Sequence, residues 1–517
     1  MLIRYPAFCI QPVKRMIEKL IYRIAPYLMA VSVVTAQRAE KPNVIIILAD
    51  DMGSDSISAF NDELGFETPR IDAFAKESMV FSDGHSGSAV CTPTRYGLLT
   101  GRYSWRSRLK KGIVPKWDAP LIEEGRMTIA SMLSENGYAT ACIGKWHLGW
   151  EWPFESDDEV PIGNGGALGK LAAKGVDWKA PVTGGPIDRG FDYHFGDGTI
   201  NWPPFVYVEN DRLLGTPNPE LDYHDPSTEW AEDKVLPMIT SKAVSYIEEQ
   251  AKSEKPFFLY FPMTAPHAPI APADAFKGVS GISTYIDFAI ETDHRVGQII
   301  DAVNRSGIAD HTIIIFSADN GTSLNKVEKE AFAKGVSFNT NVRGGKADIW
   351  EGGHKVPYMV RWPGKVRAGS VNDTPVCLTD LMATIADVVS IQLPDNAAED
   401  SSSLLPALLG IKFERGAIVN HSIQGKFAIR SGDWKLIFAP GSAGWGSPKD
   451  AEAREMNLPE LQLYHLGDDP RETRNLVAEK PELVQSLTKQ LHKMISRGRS
   501  TAGAPQSNVG ETWLPEI

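Results

Sequence analysis

Three short apolar runs, residues 44–48 (Val-Ile-Ile-Ile-Leu), 257–261 (Phe-Phe-Leu-Tyr-Phe) and 312–316 (Thr-Ile-Ile-Ile-Phe), constrain the fold of this chain most. Each is strand-length and rich in β-branched or aromatic residues, and none shows polar alternation. Such strands bury both faces, which a parallel sheet covered by helices on both sides requires. The intervening segments supply the helices. Thr68-Pro69 opens one that carries Ile71, Phe74, Ala75 and Met79 on one face. Thr128 caps another that ends near Gly137, just before a further strand at 138–143. Residues 236–250, 285–303 and 381–389 read as three more. The expected class is α/β, with a large, mostly parallel sheet sandwiched by helices. Beyond a Pro-, Asp- and Ser-rich linker, 426–430, 434–438 and 461–465 read as short strands and 481–495 as a helix, predicting a small C-terminal antiparallel sheet plus helix. The organisation expected is a catalytic region at 37–420 and a C-terminal subdomain at 421–517.

Ligands of open α/β sheets sit at the carboxyl ends of the strands, and the chemistry-bearing residues of this chain follow its strands. Asp50 and Asp51 follow the first run, and Asp319 and Asn320 follow 312–316. Four side-chain oxygen donors form a hard set that suits calcium, with magnesium as the alternative, over zinc or copper. Lys145 and His147 emerge after 138–143 between Gly144 and Gly149, and His267 stands between Pro266 and Pro269. Cys91-Thr92-Pro93-Thr94-Arg95 adds a cysteine two residues before a proline that suits the first turn of a helix. A helix N-terminus at Cys91, with Arg95 one turn along, favours an anion there.

Cys91-x-Pro93-x-Arg95, continuing into Leu99-Thr100-Gly101, resembles the signature of the formylglycine-dependent (type I) sulfatases of the alkaline-phosphatase-like superfamily. Gly144-Lys145-Trp146-His147-Leu148-Gly149, Gly190-Phe191-Asp192, Arg343-Gly344-Gly345-Lys346, Glu351-Gly352-Gly353-His354-Lys355, Asp433-Trp434-Lys435-Leu436 and Asp469-Pro470-Arg471-Glu472 extend the resemblance over nearly the whole chain. Many family members carry Arg where Lys355 stands.

The resemblance implies a sulfuric ester hydrolase in which Cys91 is oxidised to formylglycine by a formylglycine-generating or radical sulfatase-maturating enzyme. The hydrated aldehyde would attack sulfur beside a cation held by Asp50, Asp51, Asp319, Asn320 and the modified Cys91, with Asp319 accepting the nucleophile's proton. Arg95 and Lys145 would hold the modified residue, while Lys346 and His267 would face the sulfate. His267, with Lys346 as its rival, is the candidate general acid. His147 would take the proton that lets sulfate leave and restores the aldehyde. A phosphomonoester or phosphonate hydrolase of the same superfamily is the nearest alternative, and a silent glycan-binding homologue the next. The Gly-, Pro- and Trp-rich stretch 150–214 fits a substrate wall, in which Trp150, Trp152, Trp178 and Trp202 could stack on sugars or simply pack. Asp197, Asn201, Trp202 and, from the small subdomain, His421 are the candidate substrate contacts for a sulfated saccharide.

Residues 1–36 carry Arg4, Lys14, Arg15, Lys19 and Arg23 ahead of an apolar run at 24–34, and end in Val34-Thr35-Ala36. This pattern reads as a secretory signal peptide cleaved near Ala36, with a run too short for stable membrane insertion. Secretion or a periplasmic location follows. Loss of this segment removes five basic side chains and one acidic one, taking the net charge from −12 to −16. A surface so acidic excludes nucleic acid as a partner and leaves anion capture to a local basic pocket. Cys91, Cys142 and Cys377 would remain, an odd number that does not indicate a disulfide scaffold.

Overall fold

The computed structural model describes residues 41–155, 175–217, 224–225, 228, 230–327, 329–338, 340–510 and 513. The segment read as a signal peptide lies outside the described residues. Asn43–Ile517 form one compact unit.

The apolar runs become the centre of a ten-stranded sheet. In chain order its strands are β1 (Asn43–Ala49), β2 (Met79–Phe81), β3 (Ala139–Lys145), β4 (Tyr193–Asp197), β5 (Val208–Glu209), β6 (Arg212–Leu213), β7 (Phe257–Pro262), β8 (Thr312–Ala318), β9 (Tyr358–Arg361) and β10 (Ser370–Asn372). They lie in the order β10-β2-β9-β8-β1-β7-β3-β4-β5-β6. The middle five, β8-β1-β7-β3-β4, are all parallel. The antiparallel pairings fall outside them, at β8–β9, β9–β2, β4–β5 and β5–β6. Every residue of β7 and β8 is buried, as two covered faces require.

The helices of the large unit include α1 (Pro69–Glu77), α2 (Cys91–Thr100), α3 (Ile129–Glu135), α4 (Glu232–Gln250) and α5 (Thr284–Arg305). Thr128 caps α3 in the way its sequence suggests. Its hydroxyl accepts from Ser131 N, and Ser131 Oγ accepts from Thr128 N at 2.9 Å. All ten residues of α2 are buried, and Gly101, at φ +63°, ends the helix in the left-handed conformation.

The small sheet is β11 (Ile418–His421), β12 (Phe427–Ser431), β13 (Trp434–Ile437) and β14 (Gln462–His465), antiparallel throughout. Its two-residue period separates two buried faces. Phe427, Ile429, Leu436 and Leu463 pack with Leu487, Leu491 and Ile495 of α6 (Pro481–Ser496). Ala428, Ile437 and Tyr464 pack instead on Ile349 and Trp350. This second face seats the small sheet against the segment that follows Lys346.

Candidate active site

Parallel strands in register bring distant residues to one edge. Ala49 of β1 pairs with Ala318 of β8, so Asp50 and Asp319, the next residues, stand side by side. Lys145 of β3 pairs with Asp197 of β4. Across the five parallel strands the edge therefore presents Asp319 and Asn320, Asp50 and Asp51, His267, Lys145 and His147, and then Asp197.

The basic and acidic groups interlock there. Arg95 donates from Nε and Nη2 to Asp319 Oδ2 at 3.0 and 2.6 Å, and from Nη1 to Lys145 O at 2.9 Å. Lys145 Nζ donates to Asp50 Oδ2 at 2.6 Å, and Lys346 Nζ lies 2.6 and 2.7 Å from the two oxygens of Asp51. Asn320 Nδ2 donates to Asp51 Oδ1 at 2.8 Å, and His267 Nε2 is 3.8 Å from Asp51 Oδ2. Cys91, buried at the first position of α2, lies within the fields of Lys145, Lys346, Asp319 and Asp50. Its neighbour Thr92 donates to His147 O at 3.0 Å, tying α2 to the loop after β3. Asp51, His147 and Ala347 all have left-handed backbones, at φ +66°, +53° and +80°, conformations that non-glycine residues hold only when their surroundings fix them.

Burial and charge compete at each group. Burial opposes the Asp50 carboxylate, but Lys145, His267, Arg95 and Lys346 together hold its pKa well below the usual range. Burial and the Asp50 charge push Asp319 up to about 6, against Arg95. Burial lowers His267 to about 4, helped by Lys346, and burial with Lys145 and Arg95 lowers His147 as well. Lys346 moves up despite burial because Asp51 faces it. Burial also pushes the Cys91 thiol up, more than Lys145 and Lys346 pull it down, so the unmodified residue is a protonated thiol at neutral pH rather than an anion.

The donor set fits a cation. Asp50 Oδ1 and Asn320 Oδ1 are fully buried with no hydrogen-bond partner among the described residues, and Asp50, Asp51 and His267 bring ligand atoms close together. Two unpartnered oxygens under cationic neighbours are what a bound divalent ion would satisfy. A second group, His85, Glu351 and His354, is filled by the chain's own cations. Lys435 Nζ stands 2.9 Å from Glu351 Oε1 and 3.1 Å from His354 Nε2, and Arg430 Nη1 stands 3.0 Å from His85 Nε2. Lys435 also reaches Glu472 at 2.9 Å. Three motifs distant in sequence thus meet beneath the small sheet. Lys355 sits only 3.9 Å from Asp83, whose carboxylate Arg430 holds with two nitrogens.

The candidate substrate residues separate. Asp197 is buried against Lys116, which also donates to Thr199 O at 3.0 Å; sequence spacing does not single out this lysine, 81 positions away. Asn201 accepts from Thr199 Oγ1 at 2.9 Å, and Trp202 lies edge-on to His147 with centroids 6.3 Å apart. Trp150 and Trp152 pack in the core, with Trp178 packed against it. His421 is buried; its Nδ1 meets Ser88 Oγ at 3.2 Å and its carbonyl accepts from Ala89 N at 3.0 Å, which places it behind the Cys91 loop. An open cleft of about 910 Å³ lies elsewhere, lined by Glu232, Ile270, Lys277 and Asp287 among others, and by none of the candidate catalytic groups.

The sheet, its flanking helices and a charged edge of this composition define an alkaline-phosphatase-like hydrolase. The sulfatase family model matches residues 42–391, and the chain belongs to the sulfatase family: it is a sulfuric ester hydrolase. It is 30% identical to an N-acetylgalactosamine-6-O-sulfatase of Bacteroides thetaiotaomicron, an alignment covering 93% of this chain and all of the relative. It is 26% identical to the N-acetylgalactosamine-6-sulfatase of Canis lupus familiaris, covering 96% of this chain and 94% of that one. A solved structure described with the metabolism of multiple glycosaminoglycans by Bacteroides thetaiotaomicron superposes with a TM-score of 0.76 at 30% identity, covering 88% of this chain and 99% of that chain.

Proposed function

We propose that this chain removes a 6-O-sulfate from an N-acetylgalactosamine-type residue of a sulfated saccharide, after conversion of Cys91 to formylglycine by a maturating enzyme. The observation that carries this reading is the gathering of Cys91, Arg95, Lys145, His147, His267 and Lys346 around the Asp50, Asp51 and Asp319 carboxylates at one sheet edge. The sugar is taken from relatives aligned over nearly the full length.

Asp50, Asp51, Asp319 and Asn320, with the modified residue at position 91, would hold calcium or magnesium. When bound, such an ion supplies Lewis-acid polarisation of a sulfuryl oxygen. Maturation supplies an oxygen nucleophile at position 91, which the buried thiol cannot. The chain's own residues do the rest. Arg95 is anchored by Asp319 and the Lys145 carbonyl, so it orients both the modified residue and Lys145. Lys346 remains charged and neutralises sulfate. Asp319 would accept the nucleophile's proton; burial and the Asp50 charge raise its proton affinity before a cation binds. His267 is neutral in the free site, and the approach of an anionic ester raises its proton affinity, which suits it to protonate the leaving oxygen. His147, with neither ring nitrogen partnered among the described residues, is free to take the proton that releases sulfate. Trp202 and Asn201 would form the wall beside it, with the buried Asp197–Lys116 pair bracing that wall from within, and His421 supports the Cys91 loop from behind.

Residues 1–36 are proposed to direct export to the periplasm or beyond, and 421–517 to act as a subdomain closing the site. No helix among the described residues is long and apolar enough to cross a membrane. The test is parallel assay of matured protein on N-acetylgalactosamine 6-sulfate and its 6-phosphate. Turnover of the sulfate alone supports the proposal, whereas a preference for the phosphate contradicts it.

A further inference from the structure

The loop 441–446 of the small subdomain holds the one exposed tryptophan among the described residues. Trp445 is 46% exposed, whereas the other twelve are buried or intermediate. Its backbone is nevertheless tightly fixed. Trp445 N and Gly446 N both donate to Asp348 Oδ1 at 2.8 Å, and Gly345 N donates to the other oxygen of the same carboxylate at 3.0 Å. One side chain therefore links Trp445 to the residue preceding Lys346. The rest of the loop is equally pinned: Ser442 Oγ donates to Gly446 O at 2.8 Å, Ile349 N donates to Ser442 O at 2.9 Å, and Ala443 N donates to Asp450 Oδ1 at 3.0 Å. The approach is close enough to need glycine, since a Cβ at Gly444 would lie 2.5 Å from Ala347 O.

An aromatic ring 46% exposed on a loop whose backbone is already fixed can meet a ligand without the cost of ordering that loop. Such a ring suits the apolar face of a sugar, which presents C–H groups to a π surface. We propose that Trp445 is a specificity-determining residue that stacks on the saccharide unit next to the one being desulfated. This inference rests on the glycan-sulfatase reading and adds a second sugar-binding position to it. Lys346 captures the sulfate while Trp445, held to the same segment by Asp348, senses the length of the chain that carries it.

The experiment compares wild type, Trp445→Ala and Trp445→Phe on N-acetylgalactosamine 6-sulfate and on a trisaccharide ending in that residue, with thermal melting as the check on folding. The expected result for Trp445→Ala is a KM for the trisaccharide raised by about three- to tenfold, with kcat, the monosaccharide kinetics and the melting temperature unchanged. Trp445→Phe should recover most of the loss. Equal effects of Trp445→Ala on both substrates, or no effect on either, would overturn the assignment. Wild type that turns over neither sulfate would instead overturn the underlying glycan-sulfatase reading, and the assignment with it.

Discussion

Replacing Arg95 with Met removes the charge that holds the site together. Arg95 and its partners Asp50 and Asp319 are wholly buried, and the guanidinium lies 2.6 Å from Asp319 and 3.5 Å from Asp50. Deleting it leaves two buried carboxylates short of a counter-ion, a loss worth about 3–5 kcal/mol in buried pairs of this kind. The compact unit Asn43–Ile517 has an unfolding entropy of roughly 1 kcal/mol/K by its length, so the melting temperature should fall by ~3–5 °C. The measurement is thermal unfolding in chelator and again in millimolar calcium. Calcium should recover part of the loss, because a cation beside Asp50 and Asp319 replaces charge that Arg95 supplied. Arg95→Lys keeps the charge but not the fork that reaches Asp319 twice and Lys145 O once, and should fall between wild type and Arg95→Met. A melting temperature for Arg95→Met within a degree of wild type in chelator would refute the reasoning. Equal losses for Arg95→Met and Arg95→Lys would show that shape rather than charge is at stake.

Chelation of matured enzyme should abolish turnover, with calcium or magnesium restoring it, and Asp50→Asn should raise the cation concentration needed for half-activity by at least about tenfold; activity indifferent to chelator would remove the cation from the account. Thr128→Ala should cost about 1–2 kcal/mol, because the hydroxyl loses both its cap pairing with Ser131 N and its 2.7 Å bond to Arg189 O. Its kcat should match that of wild type, and a fall in kcat would mean that α3 is coupled to the chemistry.

The centre of the fold is readable because its strands are buried twice over. Residues 44–48, 257–261 and 312–316 could be little else, and each is part of the parallel core. Short strands nearer the sheet edges are not legible. Met79–Phe81 and Ser370–Asn372 each span three residues, and Tyr193–Asp197 lies in a Gly-, Pro- and Trp-rich stretch where its pattern does not stand out. Ile418–His421 falls where the sequence suggests a domain boundary, yet it is a buried strand whose partner, Phe427–Ser431, follows only a short turn. The site residues are visible because each follows a strand and strand ends converge. The pairing among them is not visible, since Arg95 with Asp319 and Lys346 with Asp51 join positions more than two hundred residues apart. Lys116 is hidden for the same reason, since only the register of β3 with β4 and the fold of the intervening chain bring it to Asp197. His421 illustrates the converse: a histidine conspicuous in sequence occupies a buried position that only tertiary packing defines.

The most direct test is peptide mass spectrometry across Cys91 in protein produced with a maturating enzyme, paired with turnover of a sulfate ester by the same preparation. Position 91 should carry a residue that has lost one sulfur and two hydrogens and gained one oxygen, with turnover rising in proportion to the fraction converted. Multiple turnovers by protein whose position 91 is entirely unmodified cysteine would contradict it.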